Sequence, residues 1–409
     1  MNIYYADLHV HIGRTLDHRP VKITAADSLT LAGALEECAS RKGIQVLGIV
    51  DMASPPVIWE AEILLDGGDL ALLPGGGYRY HDLVTLIPAV EVETGEGLGT
   101  ASGAGSGVAP ASAGGTAHWL VYFRELGQVK EFSRFLGHYV TNMTLSTQRC
   151  RLSARDIYRQ ARELGGIFVP AHAFTPHKSV FGNCVPRLEA IFGPEDAAAI
   201  PAIELGLSAD SDLADCLPEL WNKTFLSNSD AHSLPKIARE YNAFSLGGSN
   251  FEELLMAIRR ERGRGVAANY GLDPKLGKYH RTRCLKCDGV VTGEPPQFTC
   301  QNCGSGEVVR GVLDRIAEIR VQDRPVHPPH RPPYVCQIPL AFLPGVGKRT
   351  IDRLLAEFGT EMAVLHQANR EQLVEVVGPK TADLIIRARE GRLGISCGGG
   401  GTYGRIMPD

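Results

Sequence analysis

A chain of 409 residues with 44% apolar side chains is long enough to build two or three cores. No apolar run is long enough to cross a bilayer, and the first residues lack the features of a secretory signal, so a cytoplasmic protein with no membrane partner is expected. The net charge of −4 conceals an asymmetry: residues 1–258 carry 19 basic and 30 acidic side chains, and residues 259–286 carry 9 and 2. A basic connector behind an acidic body fits a polyanion partner, with the body's carboxylates used on cations; a solvated linker would have the same balance.

Strand-like and helix-like stretches alternate over residues 1–265. The first strand ends in "DLHVH", where His9 and His11 share one face because strand side chains alternate with a period of two. A helical pattern follows over 28–43, then the apolar runs "QVLGIVD" (45–51), "LVTLIPAVEVE" (83–93) and "HWLVYF" (118–123). Residues 94–117 are rich in Gly, Ala and Ser and are expected to form a flexible surface loop. Helical periodicity over 128–140 and 153–166 leads into "GGIFVPAHA" (165–173), "IPAIELG" (200–206) and "KTFLSNSDAH" (223–232), with a last helix over 250–263. Repeated β-then-α units favour a parallel α/β fold, barrel or open sheet.

Beyond the basic connector, Cys284, Cys287, Cys300 and Cys303 stand as two C-x₂-C pairs twelve residues apart. Four thiolates at that spacing make a closed, structural Zn²⁺ site, and they argue against disulfides. A Pro-rich hinge (324–334) precedes "LPGVGKRTIDRLL" (343–355) and "VVGPKTADLIIRA" (376–388), and the glycine-rich stretch 397–409 reads as disordered. "GVGK" is not a nucleotide-binding P-loop, because Phe342 stands where that loop needs its first glycine.

Histidines and carboxylates recur where the predicted strands end: His9, His11, Asp51, Glu91, His118, His172, Asp230 and His232. Loops at those ends converge on one mouth in parallel α/β folds. Singly, each has a satisfied-core reading; together they suit Zn²⁺, Mn²⁺ or iron, with Glu91 able to bridge two ions. A metal-activated water attacking phosphorus is the expected chemistry, and no Ser-His-Asp or Cys-His set competes with it.

These motifs resemble the PHP (polymerase and histidinol phosphatase) superfamily over about residues 1–265. The resemblance implies a distorted (β/α)7 barrel with two or three divalent ions (Zn²⁺, Mn²⁺ or Mg²⁺), held by His9, His11, Glu91, His118, His172, Asp230 and His232. Asp230, Glu91, His232 and Asp51 are its expected catalytic residues. Met52 stands where that superfamily usually has His, and Asp17 or His18 lies where another ligand is expected, so the third ion stays open. The two Gly-containing segments of the tail resemble helix-hairpin-helix motifs, in which Gly345, Gly347, Lys348, Gly378 and Lys380 would hold DNA phosphates; an internal packing module is the alternative.

Taken in order, barrel, "GLDPKLGKYHRTRC", four-Cys ribbon and hairpin tail resemble the endonuclease Q family over essentially the whole chain, as does "ELGLSADS" (204–211). The fold class implied is α/β: a PHP domain over 1–265, a connector, zinc ribbon and hinge over 266–335, and an all-α helix-hairpin-helix domain with its Gly-rich tail over 336–409. The implied activity is nicking of double-stranded DNA 5′ to a deaminated base (uracil, hypoxanthine, xanthine) or an abasic site, leaving 3′-hydroxyl and 5′-phosphate ends. Other repair or replication proteins are further partners to consider. A small-molecule phosphatase and a non-catalytic DNA-binding scaffold are the competing readings.

Overall fold

The computed structural model describes residues 1–96 and 115–407. Its main sheet is built outward from the strand Asn2–Val10, which runs parallel to Val46–Ile49 on one side and antiparallel to Tyr241–Leu246 on the other. Val46–Ile49 is parallel to the long strand Val84–Glu96. That strand pairs antiparallel with the hairpin strand Tyr78–Tyr80 through its first half and with Gly115–Tyr122 through its second. Ile167–Pro170 adds antiparallel to Gly115–Tyr122, and Ala202–Glu204 pairs with Thr224–Leu226 in a separate parallel ribbon. The sheet of this α/β fold is therefore mixed, with antiparallel pairs beside the parallel ones that the β-then-α alternation suggested. Buried strands are apolar on both faces in either orientation, so their runs carry no sign of direction.

The ends of the expected loop over 94–117 are strand. Thr94–Glu96 and Gly115–Ala117 are paired strand, and residues 97–114 lie outside the described residues. The helix Pro55–Asp66, which periodicity did not reveal, opens with two prolines after Ser54, where a missing N–H costs nothing.

A ladder of buried side-chain amides joins the ribbon strand Thr224–Leu226 to the main sheet. Asn269 Nδ2 donates to Phe225 O and to Asn242 Oδ1, each at 2.9 Å. Asn242 Nδ2 donates to Asn228 Oδ1 at 3.0 Å, and Asn228 Nδ2 reaches Glu204 Oε1 at 2.8 Å. All three asparagines are buried; Asn228 and Asn242 use both ends of their amides, whereas Asn269 Oδ1 has no partner among the described residues.

Both boundaries drawn from composition fall inside strands of this sheet. Gly265–Gly271 pairs antiparallel with Tyr241–Leu246, and Tyr334–Cys336 pairs parallel with Gly265–Gly271. Charge and proline content do not follow backbone pairing. The connector is thus partly sheet, and the hinge is anchored: Arg331, over the face of Phe225, donates to Asp215 Oδ1 at 2.8 Å.

The tail helices Lys348–Phe358, Glu361–His366, Arg370–Val377 and Pro379–Arg389 pack on the barrel. Lys42 Nζ, buried, donates to Glu361 Oε1 at 2.7 Å, and Arg41 pairs with Asp352 at 2.8 Å. His366 stacks on Tyr5 with ring centroids 4.5 Å apart, and its Nε2 lies 2.7 Å from Tyr241 Oη. Burial, helped by the Arg389 charge, pushes the His366 imidazole down to about 4. An unfolded histidine takes up a proton below about 6.5. Its contribution to stability is therefore complete above that pH and is lost as pH falls towards 4. His366→Gln, which cannot titrate, should lose less melting temperature than wild type on moving from about pH 7 to about pH 5. Equal losses in the two proteins would rule His366 out as a source of acid sensitivity.

Candidate metal centre

His9 and His11 do share one face, and each is oriented from behind. His9 Nδ1 lies 3.0 Å from Glu204 Oε1, and His11 Nδ1 lies 2.9 Å from Asp51 Oδ1. With Nδ1–H donated to a carboxylate, Nε2 presents its lone pair forward, the arrangement that a carboxylate behind the ring imposes on metal-binding histidines. The two Nε2 atoms are 3.3 Å apart, and each lies 3.5 Å from Asp230 Oδ1.

A second set adjoins the first. Glu91 Oε1 is 2.7 Å from His118 Nδ1 and 3.6 Å from His172 Nε2. The same carboxylate faces back to His9 Nε2 at 3.4 Å and His11 Nε2 at 3.5 Å, so it stands between the two groups. His9, His11 and Asp230 form one cluster able to hold a cation, and Glu91, His118 and His172 form the other. Two donors each about 2.1 Å from a tetrahedral ion lie about 3.4 Å apart, so the residues present fit such ions.

Asp230 is carried by a loop sewn to the first strand. His11 N donates to Ala231 O at 3.1 Å, and Ala231 N to His9 O at 3.3 Å. Asp7, the aspartate ahead of the two histidines, is fully buried and accepts from Ser229 N at 3.1 Å and Ala238 N at 2.9 Å. It braces the loop and faces no donor set. Asp230 itself has φ 46°, a left-handed conformation that Asp tolerates better than most residues.

Three expectations change. Asp51 lies behind His11, its oxygens taken by His11 Nδ1, by Ile12 N at 2.5 Å and by Ser146 Oγ, so it orients the His11 ring and does not line the cleft. Asp17 and His18 are exposed on a loop, and Asp17 pairs with Arg19 at 2.8 Å, outside the clusters. Met52 is buried in the apolar core. His232 lines the cleft, 3.6 Å from Asp230 Oδ1, without joining either cluster of three; burial and the neighbouring His11 push it down to about 4.

Glu204 and Lys22 are among the site residues that no local pattern in the sequence marks. Glu204 serves His9, the amide ladder and the backbone N–H of His172, the last at 2.7 Å. Lys22 Nζ sits 3.0 Å from Glu91 Oε2 and 2.6 Å from Thr147 Oγ1. Burial alone would raise the Glu91 carboxyl, but His118, Lys22 and His11 outweigh it and hold it well below the ordinary carboxylate range. No local pattern marks a lysine 69 positions from its partner.

The clusters floor a cleft of about 520 Å³ whose walls include Lys178, Lys236, Arg239 and Lys278 with Tyr279 and Tyr403. In the ribbon, Cys284 Sγ is 3.6 Å from Cys303 Sγ, and Cys287 Sγ is 3.5 Å from Cys300 Sγ. These separations are far too long for disulfides and near the roughly 3.8 Å between thiolates around tetrahedral zinc. In the tail, Gly345, Gly347, Lys348, Gly378 and Lys380 lie near helix starts, all but the partly covered Gly378 exposed, with Gly347 and Gly378 as N-caps. Ahead of the first Gly-containing segment stands the three-residue turn Leu340–Phe342, between Pro339 and Pro344, where a helix-hairpin-helix motif would have a full helix.

A mixed α/β fold carrying paired imidazole–carboxylate clusters defines a PHP-type domain, and a family model described as PHP-associated matches residues 212–262. The chain is 45% identical over its full length to the uncharacterised protein YqxK of Bacillus subtilis, all of which it covers. The lesion-specific endonuclease PfuEndoQ of Pyrococcus furiosus superposes with a TM-score of 0.80 at 32% identity, over 99% of this chain and 95% of that one. Endonuclease Q in complex with a 27-mer duplex bearing an abasic lesion at its active site matches at the same TM-score and identity, over 100% and 97%. The chain belongs to the endonuclease Q family.

Proposed function

We propose that this protein is a DNA repair endonuclease that hydrolyses the phosphodiester 5′ to a deaminated base or an abasic site, leaving 3′-hydroxyl and 5′-phosphate ends. The observation that carries the reading is the pairing of six inward-facing donors with a cleft walled by basic and aromatic side chains. Full-length similarity to a lesion-specific endonuclease supports the choice of substrate. Divalent ions held by His9, His11 and Asp230 and by Glu91, His118 and His172 would supply Lewis acidity at the phosphate and a water of lowered pKa.

The chain's own residues supply the rest. Glu204 and Asp51 keep the His9 and His11 lone pairs aimed inward. Lys178, Lys236 and Lys278 place positive charge on the cleft walls, where a DNA strand would pass. His232, held neutral, lines the cleft beside Asp230. Reaching a base within a duplex requires extrusion of the nucleotide, which costs least at damaged positions.

One labelled duplex carrying uracil or an abasic site, assayed beside a phosphomonoester, tests the reading. Nicking of the duplex with the monoester left intact is expected. The reverse would favour a small-molecule phosphatase, and binding without turnover of either would favour a scaffold.

The tail is proposed to grip phosphate. Removing it would uncover Tyr5 and Tyr241, so charge reversal is the cleaner test. Lys348 has a side chain 87% exposed and pairs only loosely with Asp352, at 3.2 Å. Lys348→Glu with Lys380→Glu should lower the log–log salt slope of duplex binding by roughly 0.9 for each phosphate no longer neutralised. An unchanged slope would remove the tail from the interface.

A further inference from the structure

Residues 397–407, expected to be disordered, belong to an ordered hairpin in which Ile395–Ser396 pairs with Arg405–Ile406. The hairpin lies against the backbone that leads into the ribbon. Gly398 N donates to Lys275 O at 2.7 Å, Gly401 N to Lys278 O at 2.8 Å, and Gly404 N to Leu276 O at 2.9 Å. A Cβ at Gly398 would meet Gly277 O at 2.6 Å, and one at Gly404 would meet Lys275 O at 2.6 Å. The glycines serve close backbone approach here, so low complexity marks a packed element.

This docking delivers Tyr403 to the cleft, its ring edge-on to Phe342 with centroids 6.2 Å apart. Tyr403 Oη accepts from Arg239 Nη1 at 2.7 Å. Arg239 is only 5% exposed, and two more of its donors go to the loop that carries Asp230: Nε to Ser229 O at 2.7 Å and Nη2 to Asp230 O at 3.1 Å. One planar guanidinium therefore ties the hairpin to two consecutive carbonyls, the second being that of Asp230 itself. Asp230 sits in the left-handed backbone region, where a small change in φ swings its carboxylate relative to His9 and His11.

We propose that Tyr403 is a positioning residue: acting through Arg239, it fixes the aim of Asp230 and so sets the affinity of the His9–His11–Asp230 cluster for a divalent cation. The inference rests on the reading of that cluster as a cation site. It assigns the hairpin to the active site, remote in sequence from every donor.

Tyr403→Phe in the full-length protein keeps the ring against Phe342 and removes only the acceptor. Mn²⁺ binding, followed by electron paramagnetic resonance without DNA, should weaken about tenfold, the lower end of the effect of outer-shell changes. Nicking of an abasic duplex should need correspondingly more Mn²⁺ and recover at saturation. In an Asp230→Asn background, Tyr403→Phe should add nothing, because the two act through one group. Tyr403→Ala should show the same metal effect, only larger. Wild-type Mn²⁺ affinity in Tyr403→Phe overturns the proposal, as does reduced duplex affinity with an unaltered metal titration, which would place the tyrosine against DNA. If the wild-type protein binds Mn²⁺ but nicks no lesion-bearing duplex, the endonuclease reading fails, and the DNA-free titration still decides the role of Tyr403.

Discussion

Asp230→Asn is expected to lower nicking by more than about 100-fold while duplex affinity stays close to wild type. Asparagine has the same shape and tolerates φ near 46° as aspartate does, so the loop keeps its course. What is lost is the negative charge and one oxygen facing His9 and His11, each at 3.5 Å. Changes in outer-shell partners alone typically cost 10–100-fold, and Asp230 stands closer in than those. Phosphate grip is assigned to the cleft walls and tail, which the substitution does not touch. Single-turnover nicking, duplex binding and a thermal melt on the same preparation separate the effects. Near-normal cleavage by Asp230→Asn at saturating metal would remove Asp230 from the proposed site.

Chelation should divide the metals into two populations. The ribbon site is closed by four thiolates, two of them buried, and zinc binding at such sites is worth about 10 kcal/mol or more because it is coupled to folding. The barrel clusters offer imidazole and carboxylate beside an open cleft, so ions there exchange more readily. Mild chelation is therefore expected to silence nicking while about one zinc per chain and the melting transition persist. Added Mn²⁺ or Mg²⁺ should then restore activity. Cys284→Ser should do the opposite, loosening the ribbon while the barrel keeps its ions. The ribbon rests on the fully buried Asp314, which accepts from Thr282 Oγ1 at 2.7 Å and Gln297 N at 2.9 Å, so its loss should register as an earlier melt. Elemental analysis paired with calorimetry checks both halves; zinc and fold lost together on mild chelation would overturn the division.

Much of the donor set was legible in the sequence because its signals are local. The period-two spacing of His9 and His11, the donors at the ends of apolar runs and the two C-x₂-C pairs all follow from distances of a few residues along the chain. The structure brings Glu91, His118, His172 and Asp230 to that same mouth. Residue type and spacing do not say which atom of a side chain faces which neighbour. Asp51 and Glu91 both close apolar runs, yet one stands behind a histidine and the other between two clusters.

That difference is set by strand register and loop path, which are long-range. Glu204 reaches His9 across 195 residues, and Arg239 reaches Tyr403 across 164. The same holds for the sheet, whose strand directions depend on how the connections pass over it, and for the glycine-rich end, whose order comes from the surface it docks against. Residue type and short-range spacing mark which groups are available for metal chemistry and which four thiols can close on one ion. Which of those groups face inward, and which orient them, follows from the three-dimensional fold, because a hydrogen bond's partner is chosen by position in space and not by position in the chain.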